Sequence, residues 1–135
     1  MRIEIPVSLG ELVDKITILE IKREALREIG DEMKLALVLE EWSRLTAVLR
    51  RSFRKLGLYD DEALRVDREI LTDVNQKLWQ VEDKLREHER RQDFGPRFVE
   101  LARAVYLWND RRALVKKEIN ERAGSDLVEV KVYGR

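Results

Sequence analysis

Three segments place polar residues at helical spacing in ways that could do chemistry. In VNQKLWQVEDKLR, residues 74–86, Asn75, Trp79, Glu82 and Arg86 recur at i, i+4, i+7 and i+11, so one helical stripe carries them all. An amide and a carboxylate flanking an indole at a core margin make a ligand shelf, and Glu82 is the obvious general base. The plainer alternative is a bundle-edge Trp with Glu82 in surface ion pairs, and spacing alone gives it more weight. In LARAVYLWNDRRALVKKEIN, residues 101–120, Tyr106, Asn109, Ala113, Lys116 and Asn120 fall on one stripe, and Arg103, Asp110 and Lys117 on another. Arg112 is in phase with Phe98, Val105 and Ile119, which points to partial burial. A buried guanidinium needs a carboxylate partner, and Glu82, Asp83 and Asp14 are the candidates. Asn109 in mid-helix is a poor helix former and asks for a reason. In GELVDKITILEIK, residues 10–22, Asp14 and Thr17 share a stripe with Ile21 and Glu24, and Lys15 and Lys22 form another.

The candidate set is therefore Asp14, Lys15, Lys22, Asn75, Trp79, Glu82, Arg103, Tyr106, Asn109, Asp110, Arg112 and Lys116. Two chemistries fit it. One is an interhelix salt-bridge network inside a non-catalytic binding or assembly module, which associates with itself or with a partner protein. The other is a binding protein or enzyme for a small anionic metabolite, phosphorylated or carboxylated, held by Lys or Arg in a pocket between helices one, three and four.

Composition narrows the alternatives. The chain has 135 residues, enough for one domain that buries roughly two thirds of its unfolded surface. Lys plus Arg and Asp plus Glu are 27 each, so no net charge draws the whole molecule to nucleic acid or anionic membrane. The basic clusters Arg50, Arg51, Arg54, Lys55 and Arg111, Arg112, Lys116, Lys117 have no interleaved aromatic reading surface and read as solvated faces. Cysteine is absent, which removes disulfides, thiol nucleophiles and Cys-ligated metals. A single His, His88, argues against a Ser-His-Asp triad and reads as an exposed helix residue. No glycine-rich phosphate loop is present. No cofactor and no metal site are expected. The N-terminus lacks a signal-peptide pattern and no apolar run is long enough to span a membrane, so the expected location is the cytoplasm.

The elements that must position these residues are mainly helical. Ser8-Leu9-Gly10-Glu11 forms a capping box that opens a helix from about Leu9 to Ile29, closed by Gly30. A second helix runs from about Glu32 to Leu56, with Leu35, Trp42, Leu49 and Leu56 every seven residues and Gly57 after it. A third, from about Asp61 to Arg91, repeats Leu64, Leu71, Leu78 and Leu85. A fourth, from Pro96 to about Arg122, buries Phe98, Leu101, Val105, Trp108, Val115 and Ile119. Ile3, Ile5 and Val7 alternate at one end of the chain, and Val128, Val130 and Val132 at the other. They predict two short strands that pair into a small sheet, with Glu4 near Lys131. The expected fold is a single mainly α domain over 1–135: a four-helix antiparallel bundle with a two-stranded sheet joining the termini. Helices two and three are expected to form a long antiparallel pair, and a homodimer is the expected assembly.

Taken in order, VSLGELVDKITILEIK, VNQKLWQVEDKLR, LARAVYLWNDRRALVKKEIN and GSDLVEVKVY resemble the motif blocks of a family of small bacterial proteins of unknown function. The resemblance covers nearly the whole chain, least distinctively in helix two and residues 57–65. It implies a stand-alone bacterial domain, and no activity, cofactor or catalytic residue comes with it. Asp14, Lys15, Lys22, Asn75, Trp79, Glu82, Asp83, Arg103, Tyr106, Asn109, Asp110 and Lys116 match the family pattern.

Overall fold

The structure, a computed structural model, describes residues 1–127 and 129–133. Four helices follow one another: α1 Leu9–Ile29, α2 Glu32–Leu56, α3 Glu62–Arg90 and α4 Pro96–Ala123. Local chemistry sets their ends. The Ser8 hydroxyl accepts from the Glu11 N–H at 3.2 Å, and Asp31 and Asp61 accept from the N–H groups of Lys34 and Leu64 at 3.1 and 2.9 Å. Pro96 occupies the first turn of α4, where its missing N–H costs nothing. Gly30 and Gly57 end α1 and α2 with φ of 73° and 68°, a left-handed backbone that glycine adopts without strain. The capping box of α1 is only half formed. The Glu11 carboxylate does not turn back to Ser8 but lies 2.5 Å from the Lys116 ammonium of α4.

The helices form a four-helix bundle built from two hairpins. α2 packs along α1, α3 packs along α4, and α1 also touches α3 and α4. The expected long pairing of α2 with α3 does not occur. Both carry a seven-residue apolar repeat, but such a repeat specifies a face and not its partner. The short Gly30-Asp31 turn folds α2 back onto α1 instead. The core lies where the N-terminal half of α1 meets the other helices. Leu9, Leu12, Val13 and Ile16 of α1 pack with Leu49 of α2, Leu64 and Leu71 of α3, and Val115 and Ile119 of α4. Every fully buried residue of α1 lies between Leu9 and Leu19, and α2 buries only Leu49 completely. The hairpin ends away from this junction are more open, with Ile29, Met33 and Leu37 exposed.

Neither terminal segment forms a strand among the described residues. Ile3, Ile5 and Val7 are exposed, as are Val130 and Val132, and Val128 lies outside the described residues. Lys131 reaches not Glu4 but α4, donating to the Asn109 carbonyl at 3.3 Å and lying 3.7 Å from Asp110. Two lone strands are marginal without a face to pack on, and the core is already filled by helices. His88 also departs from expectation. It is buried at the α3–α4 turn, with Nδ1 3.0 Å from the Asp93 carbonyl and its ring 6.1 Å from that of Phe98. It joins the ends of that turn.

Candidate functional site

α1 and α4 approach closely enough to exclude a side chain. A methyl group on Gly10 would lie 2.6 Å from the Lys116 carbonyl oxygen and 2.7 Å from Asn120 Oδ1. The Gly10 N–H donates to that same Oδ1 at 2.7 Å, so Asn120 of α4 satisfies one of the free donors at the start of α1. One turn further along α1, this proximity places Asp14 between α3 and α4.

Asp14 is 3% exposed and is surrounded by donors. Its Oδ1 accepts from Asn75 Nδ2 of α3 at 2.9 Å and from Arg112 Nε of α4 at 2.9 Å. Its Oδ2 accepts from Arg112 Nη2, which makes the guanidinium–carboxylate contact two-pronged, and Lys116 Nζ stands 3.9 Å away. Asn75 Nδ2 also donates to Thr17 Oγ1 at 2.9 Å, and that hydroxyl donates to the Asp14 carbonyl at 2.7 Å. Three helices are thus tied at one carboxylate. Its hydrogen bonds to Asp14 hold the Arg112 guanidinium above its ordinary pKa, against the desolvation that opposes it. Lys116, itself buried, is shared with Glu11 at 2.5 Å and with Glu129 of the C-terminal segment at 3.2 Å.

A cleft of about 590 Å³ opens over this clamp. Asn75 and Arg112 form its polar floor, Ile18 and Leu78 its apolar side, and Asn109 lines it from α4. Trp79, Glu82, Asp83 and Arg86 line it from α3. Among the described residues Glu82, Asp83 and Arg86 enter no ion pair, and the Asn109 side chain makes no hydrogen bond. The charges already neutralised lie in the floor, and the unpaired polar groups stand around the opening. Arg112 and Asn109 also border a second, more polar depression of about 310 Å³, closed by Glu11, Lys116, Glu129 and Lys131.

The structure therefore brings together Asp14, Asn75, Trp79, Glu82, Asn109, Arg112 and Lys116. Five other candidates lie elsewhere. Lys15 pairs with Glu41 of α2 at 3.0 Å. Lys22 borders an apolar groove between the open ends of α1 and α2, which Trp79 also lines. Arg103, Tyr106 and Asp110 are exposed on α4. Of the three candidate carboxylate partners of Arg112, Asp14 takes it, and Glu82 and Asp83 stay at the opening. The second basic cluster divides, with Arg112 and Lys116 turned inward and Arg111 and Lys117 exposed.

The candidate set leaves out Gly10, Asn120, Glu11 and Glu129, although Asn120 was on the stripe of Asn109 and Lys116. Asn120, like Asn109, is a poor helix former inside a helix, and that signal applied to it equally. The set also leaves out a second interhelix pair, in which Arg122 Nε donates to buried Asp67 at 2.6 Å. No protein-family model, curated protein or solved structure matches the chain.

Proposed function

We propose that the chain is a non-catalytic binding module and that the cleft over the Asp14 clamp is its binding site. One observation carries this: unpaired Glu82, Asp83, Arg86 and Asn109 ring a concave space beside the Trp79 indole, above a floor whose charges are already satisfied. A floor of paired groups positions without reacting. Glu82 is exposed and has no proton-relay partner within hydrogen-bond distance among the described residues, which supports binding over catalysis.

The charge count favours a ligand that carries an amine. Arg112 is cancelled by Asp14, leaving two carboxylates against Arg86 at the opening, and an indole face attracts an ammonium group. The rival reading, a small anionic metabolite, rests on Arg86, since Arg112 and Lys116 are both engaged by carboxylates. The resemblance in motif blocks supports a bacterial setting for the module.

Thermal unfolding in the presence of small primary and quaternary amines, set against phosphates and dicarboxylates, tests the reading. Amines are expected to raise the melting temperature of the native chain and to lose that effect in Trp79→Ala and Glu82→Gln. A response to the anions alone, abolished by Arg86→Ala, would replace this reading with the anionic one.

A further inference from the structure

The outer face of α4 carries a second pattern, independent of the cleft. At 100° per residue, Val99, Arg103, Tyr106, Leu107, Asp110 and Leu114 fall on one face of the helix, away from the inward positions Leu101, Val115 and Ile119. All six are exposed. The four apolar side chains are 52%, 52%, 57% and 58% accessible in chain order. Large apolar groups recurring on one face of a helix that already has a core side are more than scattered surface residues.

Their order is palindromic. Tyr106 and Leu107 form the centre. Arg103 lies three residues before Tyr106 and Asp110 three after Leu107, while Val99 lies seven before and Leu114 seven after. Equal steps from the centre meet apolar with apolar and cation with anion. That is the condition for a surface that pairs with an identical copy about a twofold axis, where every contact occurs twice. A face built for a different partner has no need of this symmetry.

We infer that the outer face of α4 is a twofold self-association surface, on which two copies of this chain lie antiparallel about an axis between Tyr106 and Leu107. Val99 then packs on Leu114 of the second copy, Tyr106 on its Leu107, and Arg103 meets its Asp110. The stripe is about 22 Å long at 1.5 Å per residue. An interface one helix wide falls at the small end of the range for specific complexes, so the dimer dissociates on dilution. The apolar rungs supply affinity, and the two charge pairs set direction and register. Asp110 also faces Lys131 of its own chain at 3.7 Å, with its side chain half exposed and open to a second cation.

Sedimentation velocity of the full chain over a concentration series tests this. The expected result is a shift from 16.0 kDa toward twice that mass. Arg103→Asp and Asp110→Arg each place like charges at both symmetry-related pairs and should weaken association by roughly tenfold or more. Mixed together, the two variants restore both pairs, so the mixture should associate at concentrations where neither does alone. Leu107→Asp should give monomer with an unchanged helical circular dichroism spectrum. A native chain that stays monomeric throughout would overturn the proposal. So would a dimer indifferent to Leu107→Asp, or a mixture no tighter than its components.

Discussion

Asp14 accepts from Asn75 and Arg112 and lies near Lys116, and all three come from other helices. Removing one partner of such a pair leaves the other without its counter-charge, which typically costs 3–5 kcal/mol. Arg112 keeps some solvent access, its side chain being 28% exposed. Asp14→Ala is therefore expected near the lower end, about 3 kcal/mol, read as a drop in the urea midpoint at unchanged slope. An effect below about 1 kcal/mol would mean that the clamp adds little net stability. At this scale the sequence was informative about chemistry and less so about pairing. Asp14, Asn75 and Arg112 were legible because polar residues in phase with apolar ones must find partners. Which carboxylate took Arg112 was not, because Asp14, Glu82 and Asp83 could each supply the negative charge that it needs. Tertiary distance chose between them.

The helices themselves were legible almost residue by residue, because their ends are decided locally by Ser8, Asp31, Asp61, Pro96 and the glycines after α1 and α2. The choice of neighbour was not. α2 has a strongly one-sided apolar pattern, yet only Leu49 is fully buried on it, and Trp42 Nε1 and Thr46 Oγ1 are buried there without a hydrogen-bond partner among the described residues. The Arg23 guanidinium lies 5.3 Å from the Trp42 ring centroid, so α1 covers this face partly with a cation. α1 and α4 are different, in contact at backbone level through Gly10. Gly10→Ala forces a methyl group into the Lys116 carbonyl, and either helix must move. The expected cost is about 1–3 kcal/mol, the range for overpacking a tight contact. Because the displaced helix carries Lys116 and Arg112, the same variant should also weaken whatever the cleft binds, which ligand titration would show. A glycine with a negative φ in the first turn of a helix gives no local sign of this role. The sign is Asn120, 110 residues away.

Across the whole molecule, burial is uneven. The junction of α1 with the other three helices holds the core and the clamp, while the α1–α2 turn and the far ends of the hairpins hold exposed Ile29, Met33, Leu37 and Phe94. Local stability should follow this gradient. Amide hydrogen exchange is expected to be slowest at Val13–Thr17 and around Leu71 and Val115, and fast in the first turns of α2. Uniform protection along α2 would mean that its apolar face is covered in solution. The terminal alternation failed as a prediction of strands for a related reason. Alternation marks a segment that can pair, but two lone strands are marginal without a face to pack on, and here helix residues already fill the core.

The Asp14 clamp also carries an order in time. Its partners Asn75 and Arg112 lie 61 and 98 residues further along the chain. A ribosome releasing this protein from its N-terminus exposes α1 first and α4 last. Until α4 emerges, the carboxylate that ties three helices together has no guanidinium, and the backbone niche at Gly10 has no Asn120 to fill it. Of the four helices the earliest to emerge is the last to be fully housed, and a nascent chain halted before Pro96 should remain open to proteases along α1.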